Sequence, residues 1–176
     1  SETGEFATGA LSDVRLLTTE SPPKATNAIE VGVNLPANAP QPAGVFSSAN
    51  PSTYNHATSM TVYDSLGTPH TGTIYFIKEA AANTWTQRLF VDGTERGGPQ
   101  QLTFDSATGK LATPAGGALP TVTVTGAQLG TGSADLALDF NYNGSTQYGQ
   151  GFGVNSLFQD GYTTGRMTGV EVDKTG

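Results

Sequence analysis

With 176 residues, the chain is long enough for one domain, or for one domain with flanking pieces of another. It contains no cysteine, which excludes a disulfide framework, thiolate metal sites and a thiol nucleophile. Charged residues are 13 % of the chain, about half the usual share, and the net charge is −7 with the eight basic residues scattered singly, so a nucleic-acid partner is disfavoured.

No apolar run approaches the roughly 18 residues that a membrane helix requires; the longest strongly apolar piece is Ile74-Tyr75-Phe76-Ile77. The N-terminus has no basic-then-apolar secretion signal. Gly, Pro and Thr are abundant and disfavour helix interiors, so strands are expected throughout.

In chain order, residues 1–25 include Ser21-Pro22-Pro23-Lys24, an extended connector that separates Val14-Leu16 from the first strand. That strand is Ile29, Val31, Val33 and Leu35, alternating with Glu30, Gly32 and Asn34. Residues 36–56 carry Pro36, Pro40, Pro42 and Pro51 and form a long loop anchored by Phe46 and Tyr54; loops of this length are usually functional or mobile. Strands over Ser59–Tyr63 and Gly72–Lys78 flank the turn Asp64-Ser65-Leu66-Gly67-Thr68-Pro69.

Trp85, Leu89 and Val91 share the face of a further strand, with Gln87 as the exception. A turn region at Asp92–Gly98 leads to Leu102 and Phe104, and the Asp105–Gly109 loop to Lys110-Leu111-Ala112. Alternating strands follow at Val122 and Val124 and at Leu136, Leu138 and Phe140, with Ala115–Leu119 as a turn before them. Met167–Asp173 reads as a last strand. Nine or so short, mostly antiparallel strands predict an all-β fold, a flattened barrel or a sandwich.

No catalytic set assembles from these residues. His56 and His70, the only histidines, lie near no cysteine or carboxylate pair with metal-ligand spacing and read as surface residues. Gly149-Gln150-Gly151-Phe152-Gly153 lacks the strand-turn-helix setting of a dinucleotide loop and reads as a flexible connection. Asp92-Gly93-Thr94-Glu95 and Asp105–Gly109 lack the acidic alternation of a calcium loop and read as hairpin turns. Asn143-Gly144-Ser145 matches a glycosylation acceptor, but Asn-Gly is equally a turn dipeptide, the favoured reading. Trp85 with Tyr54, Tyr63, Tyr75 and Tyr142 could make a sugar-stacking face; Trp85 falls on the apolar side of its strand, which favours core packing. Neither cofactor nor metal is expected.

Three stretches resemble the bacterial flagellar hook protein family. The first is Gln147-Tyr148-Gly149 followed by Phe152, Val154-Asn155-Ser156-Leu157 and Gln159-Asp160-Gly161-Tyr162, with Gly165 and an Asp173-to-Gly176 turn beyond. The second is Val62-Tyr63-Asp64-Ser65 with Gly67 and His70, continued by Ile74–Lys78 and Trp85. The third is Leu102-Thr103-Phe104-Asp105 leading to Gly109-Lys110-Leu111; Ala25-Thr26 and Val31–Leu35 resemble the family's incoming strand.

The resemblance implies a structural subunit of the hook, the flexible tube that joins rod to filament. It also implies the partners: other copies of the subunit in a helical homopolymer, with cap, rod and hook-filament junction proteins beside them. The location implied is extracellular, reached by flagellar type III export.

On this view residues 26–165 are the outer β domain, 1–25 an inner-domain remnant and connector, and 166–176 the return strand. Such a fragment is expected to stay monomeric, with no nucleic-acid or membrane partner. Sliding axial contacts are expected from the loop tips at 36–56, Asp92–Gly98 and Ala115–Leu119, with Pro40, Pro42, Phe46, Tyr54, Asp92 and Arg96 as candidate contact residues. A secreted carbohydrate-binding or adhesin module is the alternative from another class.

Overall fold

The computed structural model describes residues 20–165. Nine strands are present among them: β1 (Ala28–Asn34), β2 (His56–Tyr63), β3 (Pro69–Lys78), β4 (Thr84–Val91), β5 (Thr94–Phe104), β6 (Leu111–Thr113), β7 (Val122–Val124), β8 (Leu136–Asn141) and β9 (Gly153–Gln159). They form a five-stranded sheet in the order β2-β3-β4-β5-β6 and a four-stranded sheet in the order β7-β8-β1-β9. All pairs are antiparallel except β1 with β8, which run parallel.

The all-β expectation holds, as a curled sandwich. Period-two alternation places one face of each strand inside: Leu136, Leu138 and Phe140 are buried while Ala137, Asp139 and Asn141 face solvent. Ile29, Val31 and Val33 from one sheet and Ile74, Phe76, Trp85, Leu89 and Leu102 from the other meet in one core. Burying such side chains contributes on the order of 1.5–3 kcal/mol each, which offsets the ordering entropy of a chain with few helical contacts.

Four features differ from the sequence reading. β2 begins at His56, three residues early, and pairs with β3 along its whole length. Asp92-Gly93 alone makes the β4–β5 turn: Val91 pairs with Thr94, and the central residues have φ of 49° and 78°, the two positive values of a type I′ turn. Thr94 to Gly98 therefore belongs to β5, and Arg96 lies opposite Leu89 on a strand, not on a loop tip.

β9 was not expected at all. It pairs with β1 at the edge of the smaller sheet, and Gly153, read as part of a flexible connection, is its first residue. A single helical turn, α1 (Gly126–Leu129), is closed by a capping box between Thr125 and Gln128, and no helix among the described residues is long enough to cross a membrane. The strand expected at Met167–Asp173 and the segment Val14-Leu16 lie outside the described residues.

Candidate functional site: neck, clasp and anchored loop

The incoming and outgoing chains run side by side at one end of the sandwich. Backbone hydrogen bonds join Lys24 and Tyr162 in both directions at 2.9 Å, and Ser21 N–H donates to Gly165 O at 3.0 Å. The Gln159-Asp160-Gly161-Tyr162 stretch supplies the lock. Asp160 Oδ1 accepts from the amides of Asn27 (2.8 Å) and Ala28 (2.9 Å), and its Oδ2 accepts from Lys24 Nζ at 2.6 Å. Burial opposes ionisation of Asp160, but the bonds from Lys24, Asn27 and Ala28 outweigh it and hold the carboxyl below its usual range.

Thr26 Oγ1 donates to Gln159 Oε1 at 2.6 Å and accepts from Tyr63 N–H at 2.9 Å, so the lock also grips β2. Gly161 must be glycine for space: a Cβ there would overlap the Thr26 hydroxyl and stand 2.6 Å from the Thr26 nitrogen. Gly161→Ala is expected to cost about 1–3 kcal/mol through overpacking, read as a lower urea midpoint; an unchanged midpoint would refute the lock.

Beside the neck lies the Asp64–His70 turn. Gly67, at φ 80°, abuts Pro23 and Thr163, so the turn touches both crossing chains. Asp64 is fully buried: its Oδ1 accepts from the amides of Leu66 and Thr68 at 2.9 Å, and its Oδ2 accepts from Thr131 Oγ1 at 2.6 Å.

His70, read from sequence as a surface residue, is buried at 6 % exposure between two carboxylates. Its Nδ1 stands 2.6 Å from Asp92 Oδ2 and its Nε2 3.3 Å from Asp64 Oδ2. Both ring nitrogens donate only in the imidazolium form, so the geometry selects the charged ring. Burial works against that charge, yet the bonds and charges of Asp92 and Asp64 prevail and raise His70 above its ordinary value. Burial likewise opposes ionisation of Asp64, and the bonds from Thr131, Thr68, His70 and Leu66 hold it far below the carboxylate range. Three separate loops are thereby tied together at the neck end.

The long loop is anchored as read. It folds back over the outer face of the five-stranded sheet, where the Phe46 ring lies 5.4 Å from Tyr75, 5.8 Å from Phe90 and 6.2 Å from Tyr54. The Arg88 guanidinium sits 5.0 Å from the same ring and pairs with Glu95 at 2.6 Å. Phe46 and Tyr54 thus serve mainly their own sheet, Pro42 is half-buried, and Pro40 is exposed.

Among the other candidate contacts, Asp92 is an exposed turn residue that accepts from Thr71 N–H at 2.9 Å; burial opposes its ionisation, but the bonds from His70 and Thr71, with the charges of His70 and of Arg96 on β5, hold its carboxyl below its usual range. The structure brings Asp92 and Arg96 to the neck end and the four loop residues to the outer sheet face.

The remaining readings resolve simply. Trp85 is fully buried and its indole N–H donates to Gln147 Oε1 at 2.8 Å. Asp105 Oδ1 accepts from the Ala107 and Thr108 amides, which closes its own turn. Ser145 N–H donates to Tyr142 O at 2.8 Å across Asn143-Gly144, the turn as read, and the Ser145 hydroxyl is buried against β1.

The fold and these networks define a two-sheet β domain whose polar clusters bind its own turns and its paired chain crossings. A family model for the flagellar basal body protein FlaE D2 domain matches residues 34–162, and the chain belongs to that family. It is 28% identical over 157 residues to the flagellar hook protein FlgE of Escherichia coli (strain K12); the match takes in 87% of this chain and 38% of that protein's length. A 32 kDa fragment of the flagellar hook protein FlgE from Caulobacter crescentus shares the fold, with a TM-score of 0.52 and 15% identity over 61% of this chain and 46% of the fragment.

Proposed function

We propose that this chain is the outer domain of a flagellar hook subunit, a structural module that works stacked against other copies around an extracellular tube. The single observation that carries this reading is the family match across residues 34–162. The paired neck supports the finer assignment of residues 26–165 as a domain inserted into a longer subunit, with 1–25 and 166–176 leading to and from the rest. A domain tethered by two crossing chains locked to each other by Asp160, Gln159 and Thr26 moves as one body on a short stalk. That is what a bending tube asks of its outer layer.

Tube bending requires neighbouring domains to slide, with contacts that break and reform at low barriers. Small, polar, hydrated contacts satisfy this better than broad apolar ones. Two contact regions are proposed: Pro40 and Pro42 on the long loop, with Phe46 and Tyr54 as anchors behind the exposed tip, and Asp92 and Arg96 at the neck end. Its partners are other copies of the subunit, with cap, rod and junction proteins at the tube's ends, and flagellar export carries it outside. The test is complementation: a full-length hook subunit carrying this domain is expected to restore hooks and swimming to cells lacking their own. Secretion without hooks would sink the reading.

A further inference from the structure

Three of the six exposed large hydrophobic side chains described gather at the neck end: Leu66 and Phe158, each 57% exposed, and Tyr162, 49% exposed. Single residues of this kind scattered over a surface need no explanation, but a group around one feature does. Phe158 lies two residues before Asp160 on β9, and Tyr162 two residues after it, in the backbone pair with Lys24. Leu66 reaches the neck through its neighbour. Gly67 is buried, and a Cβ on it would stand 2.8 Å from Pro23 Cβ and 3.3 Å from Thr163 Oγ1.

The turn that carries Leu66 is held rigid. The Leu66 N–H donates to Asp64 Oδ1 at 2.9 Å, the Gly67 N–H donates to Asp64 O at 3.0 Å, and the Ser65 hydroxyl accepts from Ala134 N–H at 3.0 Å. Beneath it lies the buried cluster of Asp64, His70 and Asp92. Taking charges out of water is costly, so the cluster is better explained by the fixed turn it produces than by stability alone. A leucine presented on a pre-ordered turn loses little entropy when it docks.

What meets this surface follows from the tether. Ser21 and Gly165 bond to each other, so both crossings leave the domain at one place. Each is two residues from Pro23 or Thr163, the residues against which Gly67 packs, and two residues of extended chain span only about 7 Å. The match takes in 38% of the length of the Escherichia coli hook protein, and on the hook-subunit reading the rest of the subunit joins the domain at these crossings. A partner attached through the stiff Ser21-Pro22-Pro23 stretch and a second chain is present at an effective concentration of at least millimolar order. A neighbouring copy has to reach the same surface past both crossings.

We propose that the Leu66 turn, together with Tyr162, docks against an apolar seat on the inner part of its own subunit and so sets the tilt of the outer domain on its stalk; this rests on the hook-subunit reading above. A contact centred on one leucine is small enough to release, so each domain lifts from its own subunit and settles back as the tube bends.

The test is hydroxyl-radical footprinting of unsubstituted protein, read residue by residue by mass spectrometry. It compares the 176-residue chain with the monomeric full-length hook subunit that carries it. Leu66 and Tyr162 are expected to be oxidised about tenfold more slowly in the full-length monomer, the ratio that a docking preference of about 1.4 kcal/mol gives. Val45 and Tyr148, exposed away from the neck, should react equally in both. The slowing should not depend on protein concentration. Equal rates at Leu66 overturn the proposal, and so does a slowing seen only at high concentration or only in assembled tubes, which gives the surface to a neighbouring copy.

A second measurement removes the anchor. Leu66→Asp in the full-length subunit is expected to return Tyr162 to its rate in the 176-residue chain, while the same substitution leaves the melting of that chain unchanged. A Tyr162 that stays protected in the variant overturns the proposal. These monomer measurements stand apart from the hook-subunit reading, which fails separately if the unsubstituted subunit forms no hooks.

Discussion

Replacing Asp64 with alanine is expected to lower the stability of the domain by about 3–5 kcal/mol, the usual result of removing one partner from a buried charged pair. The substitution leaves the His70 ring facing Asp92 alone and orphans the amides of Leu66 and Thr68 and the Thr131 hydroxyl at once. Asp64→Asn keeps an acceptor for the Leu66 and Thr68 amides but turns an NH2 group towards Thr131 and His70, so its loss should fall between none and that of alanine. Urea denaturation checks both, and a loss below about 1 kcal/mol for alanine would contradict the clasp.

The same cluster fixes the sign of a pH dependence. His70 is raised above its ordinary value of about 6.5, so its contribution is complete below that pH and is lost as pH rises through the folded value. Asp64 and Asp92 are lowered, so theirs is complete above about 4 and is lost as pH falls through their folded values. The groups facing the ring are Asp64 from the β2–β3 turn and Asp92 from the β4–β5 turn, with Arg96 near Asp92. Stability should therefore be greatest between about pH 4 and 6.5 and decline above that window. His70→Gln should remove that alkaline decline.

Trp85→Ala is the other large effect expected, about 3–5 kcal/mol for emptying the largest fully buried site. Its magnitude comes from two sources that a second variant separates. Trp85→Phe keeps much of the apolar contact but leaves Gln147 Oε1 without its indole donor, which should cost about 1–3 kcal/mol. Because Gln147 belongs to the segment after β8 and Trp85 to β4, this bond couples the C-terminal third of the domain to the larger sheet. Equal losses for the two variants would show that packing is irrelevant at this site.

How legible the molecule is in its sequence depends on whether a signal is local. β8 is plain because its inward residues Leu136, Leu138 and Phe140 alternate strictly and are all apolar, and Ile29, Val31 and Val33 of β1 and Ile74 and Phe76 of β3 carry the same period. β9 is obscure because it is an edge strand: Val154, Ser156 and Phe158 face solvent and only Leu157 leans on the core, so the apolar residues mark the wrong face. Asp92-Gly93 is a strong hairpin dipeptide, yet the glycines at 97 and 98 masked the start of β5.

Phe90 carried an unused clue. It points away from the core beside Leu89 and Val91, and a large apolar residue on a strand's outer face means that something covers it, here Phe46 of the long loop. The clasp is partly readable, since Asp64 and His70 lie in one short motif. Asp92 joins them only through the β3–β4 register that sets Gly72 against Val91. The parallel β1–β8 pair joins residues 28–30 to 139–141, a separation no local pattern reports.

The most direct test of the account is a density map of a native hook built from subunits that carry this domain. The domain should fit the outer layer as a rigid body, with the Lys24–Tyr162 neck facing the tube axis and the long loop against the next copy. A fit with the neck pointing outward, or no density of this shape in the hook, would contradict it.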